Sequence, residues 1–187
     1  LVYHKHATTG TISPFDEAAL LVSRASSLQI VSPYIGVTYI ERLIAVSRNW
    51  YLLSDVEEWL RSLSVRARPR AWLFIRKNLD RIHHCPALHA KALIGDSSAL
   101  IGSANFTIQG ILGRTEMGVL LNDIAQVEEL RSWFHKIWQE TTSPTVDEGN
   151  AFVQWLDDEA LLNVSRRPKF VFSSTQVKVR ARLVQTA

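Results

Sequence analysis

The stretch LHAKALIGDSSALIGSANFTIQGILGRTE, residues 88–116, decides how this sequence of 187 residues is read. Within it His89, Lys91 and Asp96 stand in the order HxKxxxxD, and Gly102, Ser103 and Asn105 follow as Gly-Ser-x-Asn. Six fixed positions, each used at roughly 5% on average, coincide in about one window in 10⁸. The apolar runs 88–94 and 99–104 read as two strands close enough to form a hairpin. Residues two apart on a strand share a face, about 6.6 Å from each other. His89, Lys91 and Leu93 then share one face, and Leu88, Ala90, Ala92 and Ile94 the other. If His89 opposes Asn105, Lys91 opposes Ser103, and the closing loop is Asp96-Ser97-Ser98. An imidazole beside an ammonium suits a phosphate, because one group attacks phosphorus while the other neutralises the non-bridging oxygens. Ser103 and Asn105 add uncharged donors, and Gly102 leaves room where a side chain would crowd the substrate.

Outward from this stretch, strand and helix patterns alternate. Residues 28–34 (LQIVSPY) read as a buried strand and its exit, preceded by a helix opening at Ser13-Pro14. A helix over 36–48 and a strand over 50–53 follow. Ser54-Asp55 then caps a short helix reaching Leu63. Residues 71–75 (AWLFI) read as a third strand with Trp72 inside it, and residues 116–121 as a later one. His4 and His6 fall on an exposed terminal strand, and His83 and His84 on a loop. The longest helix is expected over 124–140, with Val127, Leu130, Phe134, Ile137 and Trp138 on one stripe. A boundary is expected at Thr141-Thr142-Ser143-Pro144. It divides a domain over 1–142 from a second part over 143–187. That part holds a helix over 146–162 and a basic tail with β-like runs at 170–173 and 177–183. The tail is expected to dock on the core or to lead to a DNA-recognition domain beyond this chain. Interleaved strands and helices argue for an α/β fold, a mixed central β-sheet flanked by helices on both faces.

Composition sets the outer limits. Hydrophobic residues make up 47% and charged residues 21%, so disordered and fibrous classes are excluded. No run reaches the ~18 apolar residues of a membrane span. One cysteine, Cys85, excludes an internal disulfide framework. The charge of +3 permits a polyanionic partner. The first residue is Leu1, with no charged-then-apolar leader after it, so an excised domain or a mature form is expected.

The motif residues resemble the signature of the phospholipase D superfamily, and Gly-Ser-x-Asn is the form common in its nuclease branch. The resemblance extends to Ser32 and Tyr34 after the first strand and to Glu116, and covers about residues 13–139. It implies a phospholipase D-like fold and a histidine that attacks phosphorus, forming a phosphohistidine that water resolves. It implies catalytic roles for His89, Lys91, Asp96, Asn105 and Glu116, the last orienting His89. Ser103, Ser32 and Tyr34 would contact the substrate. With one motif per chain, it also implies a homodimer in which the partner copy supplies the second histidine. No metal or cofactor is implied, because Lys91 and Asn105 take the charge-stabilising part. The sequence departs from the family in its spacing. One residue fewer than usual separates Asp96 from Gly102, which leaves the role of Asp96 open between the site and a turn.

Basic residues cluster at Arg61, Arg66, Arg68, Arg70, Arg76, Lys77 and Arg81, where a nucleic-acid backbone would find them. Arg66, Arg68 and Arg70 are the expected substrate contacts. A zinc site at His83, His84, Cys85 and His89 is disfavoured, since structural zinc wants paired thiolates. The expectation is a metal-independent, restriction-type endonuclease domain acting on DNA in the cytoplasm, without a membrane partner. The alternatives are a phospholipid hydrolase or phosphatidyl transferase, and a DNA-binding dimer module that has lost catalysis.

Overall fold

The computed structural model describes residues 1–4 and 13–162. The tail runs at 170–173 and 177–183, and His6, lie outside the described residues. In chain order the elements are β1 (Val2–His4), α1 (Pro14–Ser23), β2 (Ser27–Val31), α2 (Val37–Ile44), β3 (Asn49–Ser54), α3 (Val56–Ser62) and α4 (Arg68–Lys77). They continue with β4 (Ile82–His84), β5 (Ala92–Ile94), β6 (Ala99–Gly102), α5 (Ile108–Leu112), β7 (Glu116–Leu121), α6 (Ile124–Glu140) and α7 (Val146–Leu162). One mixed sheet of seven strands runs β1-β7-β6-β5-β2-β3-β4. β2, β3 and β4 are parallel, and the remaining pairs are antiparallel.

Alternation along the strands divides the core in two. Leu28, Ile30, Leu52, Leu93 and Leu100 pack under α1, α2, α3, α4 and α7. Val31, Leu53, Ala92, Ile94 and Ala99 face Val127, Phe134 and Ile137 of α6. Helices therefore cover both faces, as the sequence pattern predicts. The fold is the expected α/β arrangement of a mixed central sheet between helices.

The expected strand over 71–75 is instead the middle of α4. Ala71, Trp72 and Ile75 are buried at helical spacing while Leu73 is exposed. Pro69 stands in the first turn, and Arg76 and Lys77 in the last turn complement the helix dipole. A short apolar run alone does not separate a strand from a buried helix. β4 is a further correction, because His83 and His84 lie on this strand rather than on a loop.

Helix α7 packs against α3 and α4, and its Phe152 and Leu156 belong to the main core cluster. The Trp72 indole N–H donates to Asn150 Oδ1 at 2.7 Å. Gly149 sits directly on that indole, so a Cβ there would overlap the ring. Gly149→Ala is expected to lower stability by about 2 kcal/mol, overpacking outweighing the gain in helix propensity. Urea denaturation of the two proteins measures it.

Ile82-His83-His84 carries a buried imidazole. The Val56 backbone N–H donates to His84 Nδ1 at 3.0 Å, which requires a ring that is unprotonated there. Burial pushes His84 down to about 4. The folded state therefore favours the neutral ring. That stability is complete above the ordinary value of 6.5 and is lost as pH falls from there through about 4. The loss amounts to about 3 kcal/mol. His84→Asn keeps an acceptor for Val56 but does not titrate. Its pH–stability curve is expected to be flatter than wild type between these values by that amount, as chemical denaturation at several pH values would show.

Candidate active site

The motif residues gather at one end of the strands. β2 leaves the sheet there through residues 32–36 and β6 through 103–107, and β5 and β7 begin there at Ala92 and Glu116. The Ile35–Phe106 bridge and the Gly36 N–H donating to Phe106 O at 2.9 Å hold the first two loops side by side.

His89 and Lys91 do not lie on a strand, contrary to the expected run 88–94. β5 begins at Ala92, where it pairs with Val31, the last residue of β2. The β2–β5 ladder ends at that pair, so residues 88–91 lie outside it. The hairpin register also differs by one residue. Ala92 opposes Ile101, and the Gly102 N–H donates to Lys91 O at 3.2 Å. Lys91 therefore faces Gly102 and not Ser103. The turn is the two-residue Asp96-Ser97, closed by the Gly95 N–H donating to Ser98 O at 2.9 Å. That two-residue turn accounts for the short spacing between Asp96 and Gly102.

The irregular segment brings His89 and Lys91 together in another way. Lys91 is only 8% exposed. Its ammonium donates to His89 O at 2.8 Å and lies 3.2 Å from His89 Nδ1. Burial pulls Lys91 below the ordinary lysine range, and the negative charge of Glu116 opposes that pull. The His89 side is exposed to solvent. Glu116 accepts a hydrogen bond from the Ser103 hydroxyl. It is thus bonded to Ser103, and its charge reaches Lys91 rather than bonding the His89 ring. Asn105 Oδ1 is buried with no hydrogen-bond partner among the described residues. A buried amide oxygen left this way is costly unless a ligand or water completes it.

The glycines serve the frame. A Cβ on Gly102 would meet Phe15 Cζ at 2.5 Å and Met117 O at 2.8 Å. Gly102 and its cross-strand partner Gly118 form a platform for the Phe15 ring, so packing, not substrate, excludes a side chain. Gly110 lies against Asn105 O and fixes the loop that carries Asn105.

Several expected contacts lie elsewhere. Asp96 is at the opposite end of the strands, in the β5–β6 turn. Its carboxylate accepts the Ser26 N–H at 2.6 Å and the Ser27 N–H at 3.3 Å, and Arg131 lies 3.8 Å away. These bonds outweigh its partial burial and hold the carboxyl below the usual aspartate range. Asp96 joins the hairpin turn to the start of β2. Ser32 is buried and donates to Tyr34 O at 2.9 Å, so it shapes the loop, while Tyr34 is half-buried beside it. Arg68 is also buried. It donates to Leu60 O at 3.1 Å and Leu63 O at 3.0 Å and pairs with Asp157 of α7, so it is not available to a phosphate. Arg70 is exposed and pairs with Glu41 at 2.9 Å, and Arg66 is exposed. His83 stacks on Trp138 at 3.6 Å, and His84 holds Val56. Among the described residues no group of three His, Cys, Asp or Glu side chains could hold a metal ion.

Comparison with known proteins bears on the family and the fold. Residues 23–138, more than half of the chain, match the family model described as cardiolipin synthase, PLD-like domain. No curated protein matches the sequence at a significant level. Among solved structures, NucT from Helicobacter pylori is similar at 14% identity and a TM-score of 0.54, over 68% of this chain and 89% of that one. Nuc from Salmonella typhimurium, a phospholipase D family member, is similar at 16% and 0.56, over 70% and 90%. A phosphatidylserine synthase from Haemophilus influenzae is similar at 10% and 0.51, over 78% of this chain and 41% of that one. The family model spans the whole HxKxxxxD and Gly-Ser-x-Asn stretch, and the chain belongs to the phospholipase D superfamily.

Proposed function

We propose that the protein is a metal-independent phosphodiesterase that cleaves DNA through a covalent phosphohistidine, as the catalytic part of a restriction-type endonuclease. The observation that carries this reading is the pairing of an exposed His89 with a buried Lys91, 3.2 Å from its ring nitrogen. A neutral imidazole nitrogen of His89 attacks phosphorus. The phosphorus–oxygen bond to the leaving nucleotide breaks, and that oxygen takes a proton from a second imidazole. Water then attacks the phosphohistidine, giving its proton to the same second imidazole, and His89 is released. Lys91 and the amide of Asn105 stabilise the charge that builds on the non-bridging oxygens. Ser103 and Glu116 set the position and charge of Lys91.

The second imidazole comes from a second copy of the chain. Among the histidines whose side chains are described, His83 is stacked on Trp138, His84 is turned inward to Val56, and His135 lies 3.2 Å from Gln29 Nε2. Among the histidines whose side chains are described, His89 is the one at Lys91. A two-fold axis at the site supplies the missing group.

The family description and the phosphatidylserine synthase fold favour a second reading, in which the same chemistry acts on a phospholipid. One experiment separates the two. Purified protein is incubated in EDTA with plasmid DNA or with phosphatidylglycerol vesicles. DNA nicking without lipid turnover supports the nuclease. Lipid turnover alone moves the assignment to the phospholipid reading. Nicking that is lost in EDTA and restored by Mg²⁺ contradicts the metal-independent mechanism.

A further inference from the structure

We infer that Asp55 is a positioning residue for His89, an inference that rests on the proposed phosphodiesterase chemistry. Asp55 is 5% exposed and uses its two carboxylate oxygens on two different segments. Oδ1 accepts the Glu58 N–H at 3.1 Å and caps α3. Oδ2 accepts the Ala87 N–H at 2.7 Å, thirty-two residues further along the chain and two before His89.

The segment so held is under conformational demand. Ala87 has φ 58°, in the left-handed region that a residue with a Cβ adopts at a cost. Around it the Cys85 N–H donates to Ser54 O at 2.8 Å and the Leu88 N–H to Cys85 O at 3.3 Å. Residues 85–88 thus hang from the end of β3 by two bonds. The one from Asp55 falls on the residue whose conformation needs holding. The chain reverses there and presents His89 to solvent with its carbonyl on the Lys91 ammonium. A nucleophile on an irregular segment has no ladder to fix it. A charge-assisted bond to a buried carboxylate is the strongest fixed point near it. Accurate placement of the attacking nitrogen matters, because a shift of about 1 Å can cost on the order of 10²-fold in rate.

Two variants break the tie from opposite sides. Asp55→Asn can keep an oxygen on the α3 cap while turning an NH₂ towards Ala87. Ala87→Val leaves Asp55 intact but disfavours the left-handed backbone. In DNA cleavage each is expected to lower kcat by about 10-fold or more, with KM within about 2-fold. Trp72→Phe, which removes a hydrogen bond at the distant seam of α4 and α7, lowers the melting temperature without moving kcat. A wild-type kcat in both Asp55→Asn and Ala87→Val overturns the inference, as does an equal loss in Trp72→Phe. The His89 ring signal in proton NMR, assigned by its absence in His89→Ala, reads the same tie without turnover. It is expected to shift or broaden in Asp55→Asn, and an unchanged signal overturns the inference even if no substrate is cleaved. Loss of the proposed chemistry itself would show instead as an inert wild type.

Discussion

His89→Ala is expected to cleave DNA at about 10⁻⁴ of the wild-type rate or less, with binding and fold retained. Removing a nucleophile abolishes the covalent route, so only the electrostatic contribution of Lys91 and Asn105 remains. The fold survives because His89 is exposed and packs into neither core cluster. Its ring nitrogen lies 3.2 Å from the Lys91 ammonium, and surface substitutions of this kind change stability by about 0.5 kcal/mol at most. Quenching wild type during turnover should trap the cleaved strand on His89 through its terminal phosphate, a phosphorus–nitrogen link stable in base and labile in acid. Peptide mapping locates it. Wild-type-like turnover in His89→Ala would end the mechanism, and a trapped group on another residue would move the nucleophile there.

What the sequence revealed, and what it hid, follows from how each feature is encoded. The motif was legible because its chemistry lies in residue identity. Gly102 and Gly110 were equally visible as letters, but what they make room for is set by Phe15 and by the Asn105 carbonyl, far or folded back in the chain. The helices over 124–140 and 146–162 were legible from their apolar period, and α6 and α7 have those bounds. The hairpin register was not. It hung on whether the loop held two residues or three, and the Gly95–Ser98 pairing that settles it carries no side-chain signature. Charge was the least legible feature. Arg66, Arg68 and Arg70 alternate in sequence like a basic stripe. Yet Arg68 lies inward, because the Leu60 and Leu63 carbonyls at the end of α3 and Asp157 on α7 need a donor there. A long side chain that buries its stem and satisfies carbonyls looks, in sequence, like one reaching for a phosphate. Asp55 hid for a related reason. Standing just before a short helix it reads as a cap, and only the fold shows its second oxygen on Ala87.

A mixture of wild type with His89→Ala subunits, allowed to exchange, is expected to lose activity as the square of the wild-type fraction. The reason is the supply of imidazoles. The proposed displacement needs one ring to attack and a second to protonate the leaving oxygen and later to activate water. At the described site only His89 is in place. Glu116 is already engaged, since it accepts the Ser103 hydroxyl and its charge reaches Lys91. A shared site thus works only when both subunits carry His89. With equal amounts of the two proteins, about a quarter of the activity should remain, against about half if each subunit works alone. The two-fold axis must then pass beside Lys91 and the residues that follow β6, so each subunit presents the same loop edge to its partner. Sedimentation should give a dimer at working concentration. A monomer that still nicks DNA, or a linear fall in the mixture, would defeat the shared site and require the second proton carrier within one chain.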